Sequence, residues 1–186
     1  TVDLLDDAMK IALFGSAFNP PSVGHADCID QLTQFVDEVW LVPSFCHAFN
    51  KSMTPYEQRC AWVEAFAKDV GAHVQLKAVE HEIAKGFAER RAVYSFEVVE
   101  HLIGLHPEHQ FVLAIGPDNM LAWNRFSHTE RIHERCQIMV TQERLQVRST
   151  GIRQELCRGY VPKPMLTPLV AQALSTFNPW KPLYVS

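Results

Sequence analysis

Five short runs rich in apolar residues, separated by stretches of helical period, restrict this chain more than any other feature of its sequence. They are IALF at Ile11 to Phe14, VWLV at Val39 to Val42, HVQL at His73 to Leu76, FVLAI at Phe111 to Ile115 and QIMVT at Gln137 to Thr141. Runs of this length read as strands covered on both faces, and such strands alternating with helices make a parallel sheet. Between them, Thr54-Pro55-Tyr56-Glu57 opens a helix, because Thr can cap, Pro suits a first turn and Glu can complete a capping box. Cys60, Trp62, Val63, Phe66 and Ala67 give that helix one apolar face. A second helix is expected over Ser95 to Leu105, with Phe96, Val99, Leu102 and Ile103 inward. Thr167-Pro168 starts a last one that carries Leu169, Val170 and Leu174 and stops before Pro179. The expected fold is α/β: a single doubly wound, Rossmann-like parallel sheet flanked by helices. In such folds ligands bind at the carboxyl ends of the strands.

With 186 residues the chain suits one core, since a domain of this size buries roughly 70% of its unfolded surface without disulfides or metals. There is no repeat, long linker or shift of composition, so residues 9–186 read as one domain. Residues 1–8 read as a native extension, a cloning remnant or the product of an upstream start. That polar, acidic beginning does not resemble a signal peptide, and no apolar run approaches the roughly 20 residues needed to span a bilayer. The net charge of -4 gives no broad basic field for nucleic acid, so a phosphate site must be local and its ligand small. The five cysteines are scattered and odd in number, which indicates neither zinc nor a disulfide framework and fits a reduced, cytoplasmic setting. His101, His106 and His109 read as solvated helix-end residues rather than metal ligands. A homo-oligomer is left open.

The loop after the first run is GSAFNPPSVGHADCI, Gly15 to Ile29, and it enters a helix directly. Gly15 and Ser16 let backbone amides approach an anion, Pro20 and Pro21 stiffen the turn, and Gly24-His25 sets an imidazole near the helix N-terminus, where a cation complements phosphate. Alone, this loop is equally a plain strand-to-helix turn with His25 as a cap or surface residue. It is not a Walker loop, because no Gly-Lys-Ser/Thr follows. The second cluster, VRSTGIRQEL at Val147 to Leu156, also begins a helix: Ser149 and Thr150 can cap it, and Arg153 can fork onto phosphate oxygens. A helix cap followed by a solvated Arg is its ordinary alternative.

Together and in this order, the two motifs resemble those of the nucleotidyltransferase superfamily that includes pyridine-nucleotide adenylyltransferases, phosphopantetheine adenylyltransferase and cytidylyltransferases. Phe18, Asn19, Pro20, Gly24 and His25 match its first motif, and Ser149, Thr150, Gly151, Ile152 and Arg153 its second. Ser22 stands where that superfamily usually has His or Thr, keeping a hydroxyl but no second imidazole. From Met9 onward the chain resembles bacterial nicotinate-mononucleotide adenylyltransferases: Lys51 and Arg59, Tyr94 and Ser95, and the Gly116, Asp118 and Trp123 of FVLAIGPDNMLAWNRF all match.

The resemblance implies attack by an acceptor phosphate on the α-phosphorus of ATP, with pyrophosphate leaving. It makes His25, Arg153, Ser22 and Lys51 the catalytic candidates. Gly15, Ser16, Phe18, Gly116, Asp118, Ser149 and Thr150 would join His25, Ser22 and Arg153 around ATP. Lys51, Arg59, Tyr94, Ser95 and Trp123 would meet the pyridine mononucleotide. Mg2+ would be held mainly by substrate phosphates and water. The expected acceptor is nicotinate mononucleotide, although GSAFNP also resembles the opening of the nicotinamide-accepting eukaryotic enzymes. The rivals are a sister enzyme with another acceptor, such as phosphopantetheine or a sugar or polyol phosphate, and an inactive nucleotide-binding module.

Overall fold

All five expected strands form, and each is ordered by the run that announced it. A computed structural model describes residues 8–46 and 52–181, so Lys51 and most of the 1–8 segment lie outside the described residues. The strands are β1 (Lys10–Ser16), β2 (Glu38–Pro43), β3 (Val74–Leu76), β4 (Gln110–Ile115) and β5 (Gln137–Val140), all parallel in the order β3-β2-β1-β4-β5. Strand order reverses between β1 and β4, which opens a crevice at their carboxyl ends.

The period of two along each strand sorts its side chains onto two faces. Ala12, Phe14, Val39, Leu41, Val112 and Ala114 point to one side. There they meet Ile29 and Leu32 of α1 (Val23–Leu32), Trp62 and Phe66 of α2 (Tyr56–Val70), Ile152 and Leu156 of α7 (Ser149–Cys157) and Val170 and Leu174 of α8 (Pro168–Thr176). Ile11, Leu13, Trp40, Val42, Phe111 and Leu113 point to the other, against Val99 and Leu102 of α4 (Ser95–Leu105) and Ile132 of α6 (Thr129–Arg135). Two separate cores on one sheet are what the doubly wound expectation requires.

Several local expectations shift. The N-cap of α2 is Pro55, not Thr54, and makes no side-chain cap; the Thr54 carbonyl instead accepts the Arg59 Nε–H at 2.8 Å. Likewise α7 is capped by Arg148, so Ser149 and Thr150 already lie in its first turn. Leu169 turns outward while Val170 and Leu174 are buried. The short helices α3 (Glu80–Ala84) and α5 (Pro117–Leu121) have too few residues to show a helical period. Every cysteine is free, and among the described residues no helix is long and apolar enough to cross a membrane.

Candidate active site

A cleft of about 350 Å³ occupies the reversal point, lined from β1 by Gly15 and Ser16, from α1 by Gly24 and His25, from β4 onward by Gly116 and Asp118, from the β5–α7 loop by Arg148 and from the start of α7 by Ser149. The two motifs, more than a hundred residues apart, are bonded to each other across it. Ser149 Oγ donates to the Pro20 carbonyl at 2.8 Å and Arg153 Nη1 to the Asn19 carbonyl at 2.9 Å. Gly24 lies so close beneath the incoming chain that a Cβ there would stand 2.6 Å from the Val147 carbonyl oxygen. The glycine is therefore required by helix-to-loop contact, quite apart from any anion.

His25 sits at the third position of α1, with Ser22 as N-cap and a reciprocal capping box. The Ser22 backbone N–H lies 3.0 Å from His25 Nδ1. An amide can only donate, so Nδ1 carries the lone pair and the neutral ring holds its proton on Nε2. That Nε2–H faces Ser16 Oγ at 3.1 Å. Phe18 packs 4.8 Å from the ring and Phe14 and Phe66 flank it. Burial in this aromatic setting pushes the His25 pKa down to about 4. The sequence reading of a cation at this point is thus corrected: the imidazole is a neutral hydrogen-bond donor, oriented before any ligand arrives.

Three other expected contacts change character for the same reason. Ser22 borders the cleft but is only 1% exposed, and its Oγ is 3.1 Å from His25 Nδ1, so its hydroxyl is placed to orient the imidazole. Phe18, also 1% exposed, forms the wall behind His25 and not an ATP surface. It is held at a φ of 49°, a left-handed conformation that is costly for a bulky residue. Arg59 is 1% exposed and gives its Nε–H to the Thr54 carbonyl and an Nη1–H to the Ala17 carbonyl, at 2.8 Å each. It is an internal strut beneath the first motif, not an open contact for an acceptor.

The remaining expected residues are distributed unevenly. Gly116 caps α5 with open space around its α-carbon, and Asp118 is exposed at the cleft, 3.4 Å from Arg148. Thr150 Oγ1 accepts from Arg153 Nη2 at 3.2 Å. Tyr94 and Ser95 stand at the start of α4, and Trp123 lies in a 3-10 turn with its Nε1–H on His133 Nε2 at 3.0 Å. None of these three lines the cleft. Arg91, just before α4, is forked onto Glu97 at 2.7 and 3.0 Å.

Sequence reasoning missed the charges of the β5–α7 loop. Arg144 is clamped to Asp27 at 2.8 and 3.0 Å, and Arg148 to Glu143 at 2.7 and 2.9 Å. Two arginines in TQERLQVR, which runs from the last strand into the second motif, were the available signal. Away from the cleft, His106, Glu108 and His109 bring their donor atoms within 4.8 Å of one another. Yet His109 Nδ1 accepts the Met9 N–H at 3.1 Å. That puts the His109 proton on Nε2, where it faces Glu108 and blocks a metal.

The chain belongs to the cytidylyltransferase-like family of nucleotidyltransferases, whose model matches residues 13–159. Its relatives within that family are narrower in name. A Myxococcus xanthus protein named as a probable nicotinate-nucleotide adenylyltransferase is 32% identical over 86% of this chain and 88% of its own. A crystal structure from Vibrio parahaemolyticus, described as a candidate nicotinate-nucleotide adenylyltransferase, aligns with a TM-score of 0.77 at 36% identity, covering 89% of this chain and 97% of that one. The nicotinic acid mononucleotide adenylyltransferase of Plasmodium falciparum, solved with NaAD, aligns at a TM-score of 0.70 over 92% of this chain and 97% of its own. At 14% identity that likeness concerns the fold.

Proposed function

We propose that the chain transfers the adenylyl group of ATP to nicotinate mononucleotide, releasing pyrophosphate and forming the nicotinate dinucleotide used in NAD biosynthesis. The observation that carries the proposal is the bonded meeting of the two phosphate motifs over His25 at the strand-order reversal. The names of the relatives supply the acceptor.

An acceptor phosphate is anionic at neutral pH, so no general base is needed and catalysis rests on alignment and charge stabilisation. The His25 Nε2–H, now on Ser16 Oγ, would turn to a phosphate oxygen and follow the charge that grows on the departing pyrophosphate. Ser16 and the first turn of α7, with Ser149 and Thr150, would hold phosphate oxygens. Arg153, pinned to Asn19, would keep one edge for them. Ser22 and Phe18 act by orienting His25. Gly116 and Asp118 would meet the nucleoside part, and Tyr94, Ser95 and Trp123 the pyridine nucleotide. Lys51 completes the proposed cations from outside the described residues.

Among the described residues, no three carboxylate, His or Cys donors lie close enough in the cleft to hold an ion, and Asp27, Asp118 and Glu143 are paired with arginines. This donor set suits Mg2+ that arrives on the triphosphate and neutralises charge there. The test is pyrophosphate release from ATP with a panel of phosphate acceptors, with and without Mg2+. Turnover is expected with nicotinate mononucleotide, at least about tenfold more efficient than with nicotinamide mononucleotide. A good rate with phosphopantetheine or a polyol phosphate alone would overturn the acceptor.

A further inference from the structure

The charges around the cleft do not suit a triphosphate as they stand. Among the described residues, its ionised lining is three carboxylates, Asp27, Asp118 and Glu143, against two guanidiniums, Arg144 and Arg148. His25 contributes a hydrogen bond but no charge, because its Nδ1 accepts the Ser22 N–H. Arg153 is outside the lining and holds the Asn19 carbonyl. Arg144 is bound by two carboxylates, Asp27 and Asp30, both on α1, and so ties the β5–α7 loop to that helix.

Arg148 also meets two carboxylates, but it is more exposed than Arg144 and its close partner lies on its own loop. It precedes Ser149 and caps α7, so its α-carbon is anchored beside the phosphate motif while its side chain is 63% exposed. Its forked partner, Glu143, belongs to the same loop. Its contact with Asp118 reaches across the cleft but is long, at 3.4 Å. An ion pair this accessible is held weakly against solvent, and a guanidinium accepts a phosphate in the same forked geometry as a carboxylate.

We propose that Arg148 is a phosphate-binding residue of the nucleotide site, held by Glu143 until ATP enters and then exchanged from that carboxylate onto the triphosphate. Glu143 is accordingly a competitor for the arginine, and it lowers ATP affinity. Exchange also brings the guanidinium away from Asp118, which leaves that carboxylate free to face the nucleoside. The inference rests on ATP being a substrate of this cleft, as in the function proposed above.

The pair allows a test whose sign discriminates. ATP with Mg2+ is titrated calorimetrically, without acceptor, into the wild type and the variants Arg148→Ala, Arg148→Lys and Glu143→Gln. Arg148→Ala is expected to weaken ATP binding about tenfold, the scale of one charge-assisted hydrogen bond. Arg148→Lys, a point charge without the fork, should fall between that variant and wild type. Glu143→Gln should tighten binding by about threefold or more, since it releases the arginine. An unchanged affinity in Arg148→Ala, or an affinity in Glu143→Gln equal to or weaker than wild type, overturns the proposal. Should Arg148→Ala fail to fold, the opposed signs expected for Arg148→Lys and Glu143→Gln decide the matter. The expected binding pattern in a protein that makes no pyrophosphate with a pyridine mononucleotide would instead remove the acceptor assignment and leave this inference standing.

Discussion

The two sides of the candidate site are built differently. On the proposed phosphate side, Ser22, His25, Ser149 and Arg153 are fixed by hydrogen bonds to one another's segments, and the aromatic wall behind His25 is buried. On the proposed acceptor side, Tyr94 is 40% exposed and Trp123 is half-buried in a three-residue turn after a five-residue helix. Groups that must meet developing charge gain most from being oriented in advance, because nothing then has to reorganise at the moment of reaction. Groups that choose a substrate can remain on short elements with few internal ties. The comparison predicts that damage on the first side falls on kcat and damage on the second on KM for the acceptor.

The largest expected effect tests the first half of that statement. His25→Ala should cut kcat about 100-fold or more with the fold intact, measured by pyrophosphate release alongside circular dichroism. A near wild-type rate would remove the role given to the imidazole. Next in size, Trp123→Ala should raise KM for nicotinate mononucleotide about tenfold through loss of ring stacking, while ATP binding measured by calorimetry stays as in wild type. If ATP binding weakens equally, the two sides are not separable and the comparison breaks.

Ser22→Ala sharpens it on a smaller scale. Losing the hydroxyl beside Nδ1 should cost about 1 kcal/mol, seen as a several-fold fall in kcat with KM for ATP unchanged, because the serine acts through His25. A rise in KM for ATP with kcat intact would return Ser22 to direct contact with phosphate.

The smallest effect is expected from pH. Since burial holds the His25 pKa near 4, its neutral, donating form persists well below the ordinary imidazole range. The kcat profile should therefore show no inflection near 6.5 from this residue. Stability behaves differently: below its unfolded pKa near 6.5 His25 takes a proton in the unfolded chain that the folded chain refuses until about 4. Stability should fall as pH drops through that window, by at most about 1 kcal/mol per pH unit. Urea denaturation of wild type and His25→Gln at pH 7 and pH 5 checks this, the wild type losing more.

The sequence carried the sheet because strands buried on both faces must be apolar at nearly every position, as Ile11 to Phe14 and Phe111 to Ile115 are. It carried the phosphate side because Gly24, His25, Ser149 and Arg153 recur in a recognisable order. What it could not carry was the state of those residues. Whether His25 is charged depends on an amide three residues away, and whether Arg59 is a ligand or a strut depends on the Ala17 carbonyl, forty-two positions earlier. Arg148 stood inside the quoted second motif with no role read for it; its place between Glu143 and Asp118 gives it meaning. The caps of α2 and α7 moved by one residue or two, and at α7 the Ser149 hydroxyl that could have capped is bonded to the Pro20 carbonyl instead.

The contact between Gly24 and the Val147 carbonyl reaches beyond this one molecule. The two motifs are halves of a single joint, so each is a constraint on the spacing and shape of the other. A chimera that takes residues 11–32 from one relative and residues 137–157 from another should assemble only if the first supplies a glycine at the Gly24 position and the second the same course of chain above it. Exchanging the two segments together should succeed where exchanging either alone does not, so recombination among such enzymes is expected to tolerate crossovers within residues 33–136 only when both ends come from one parent.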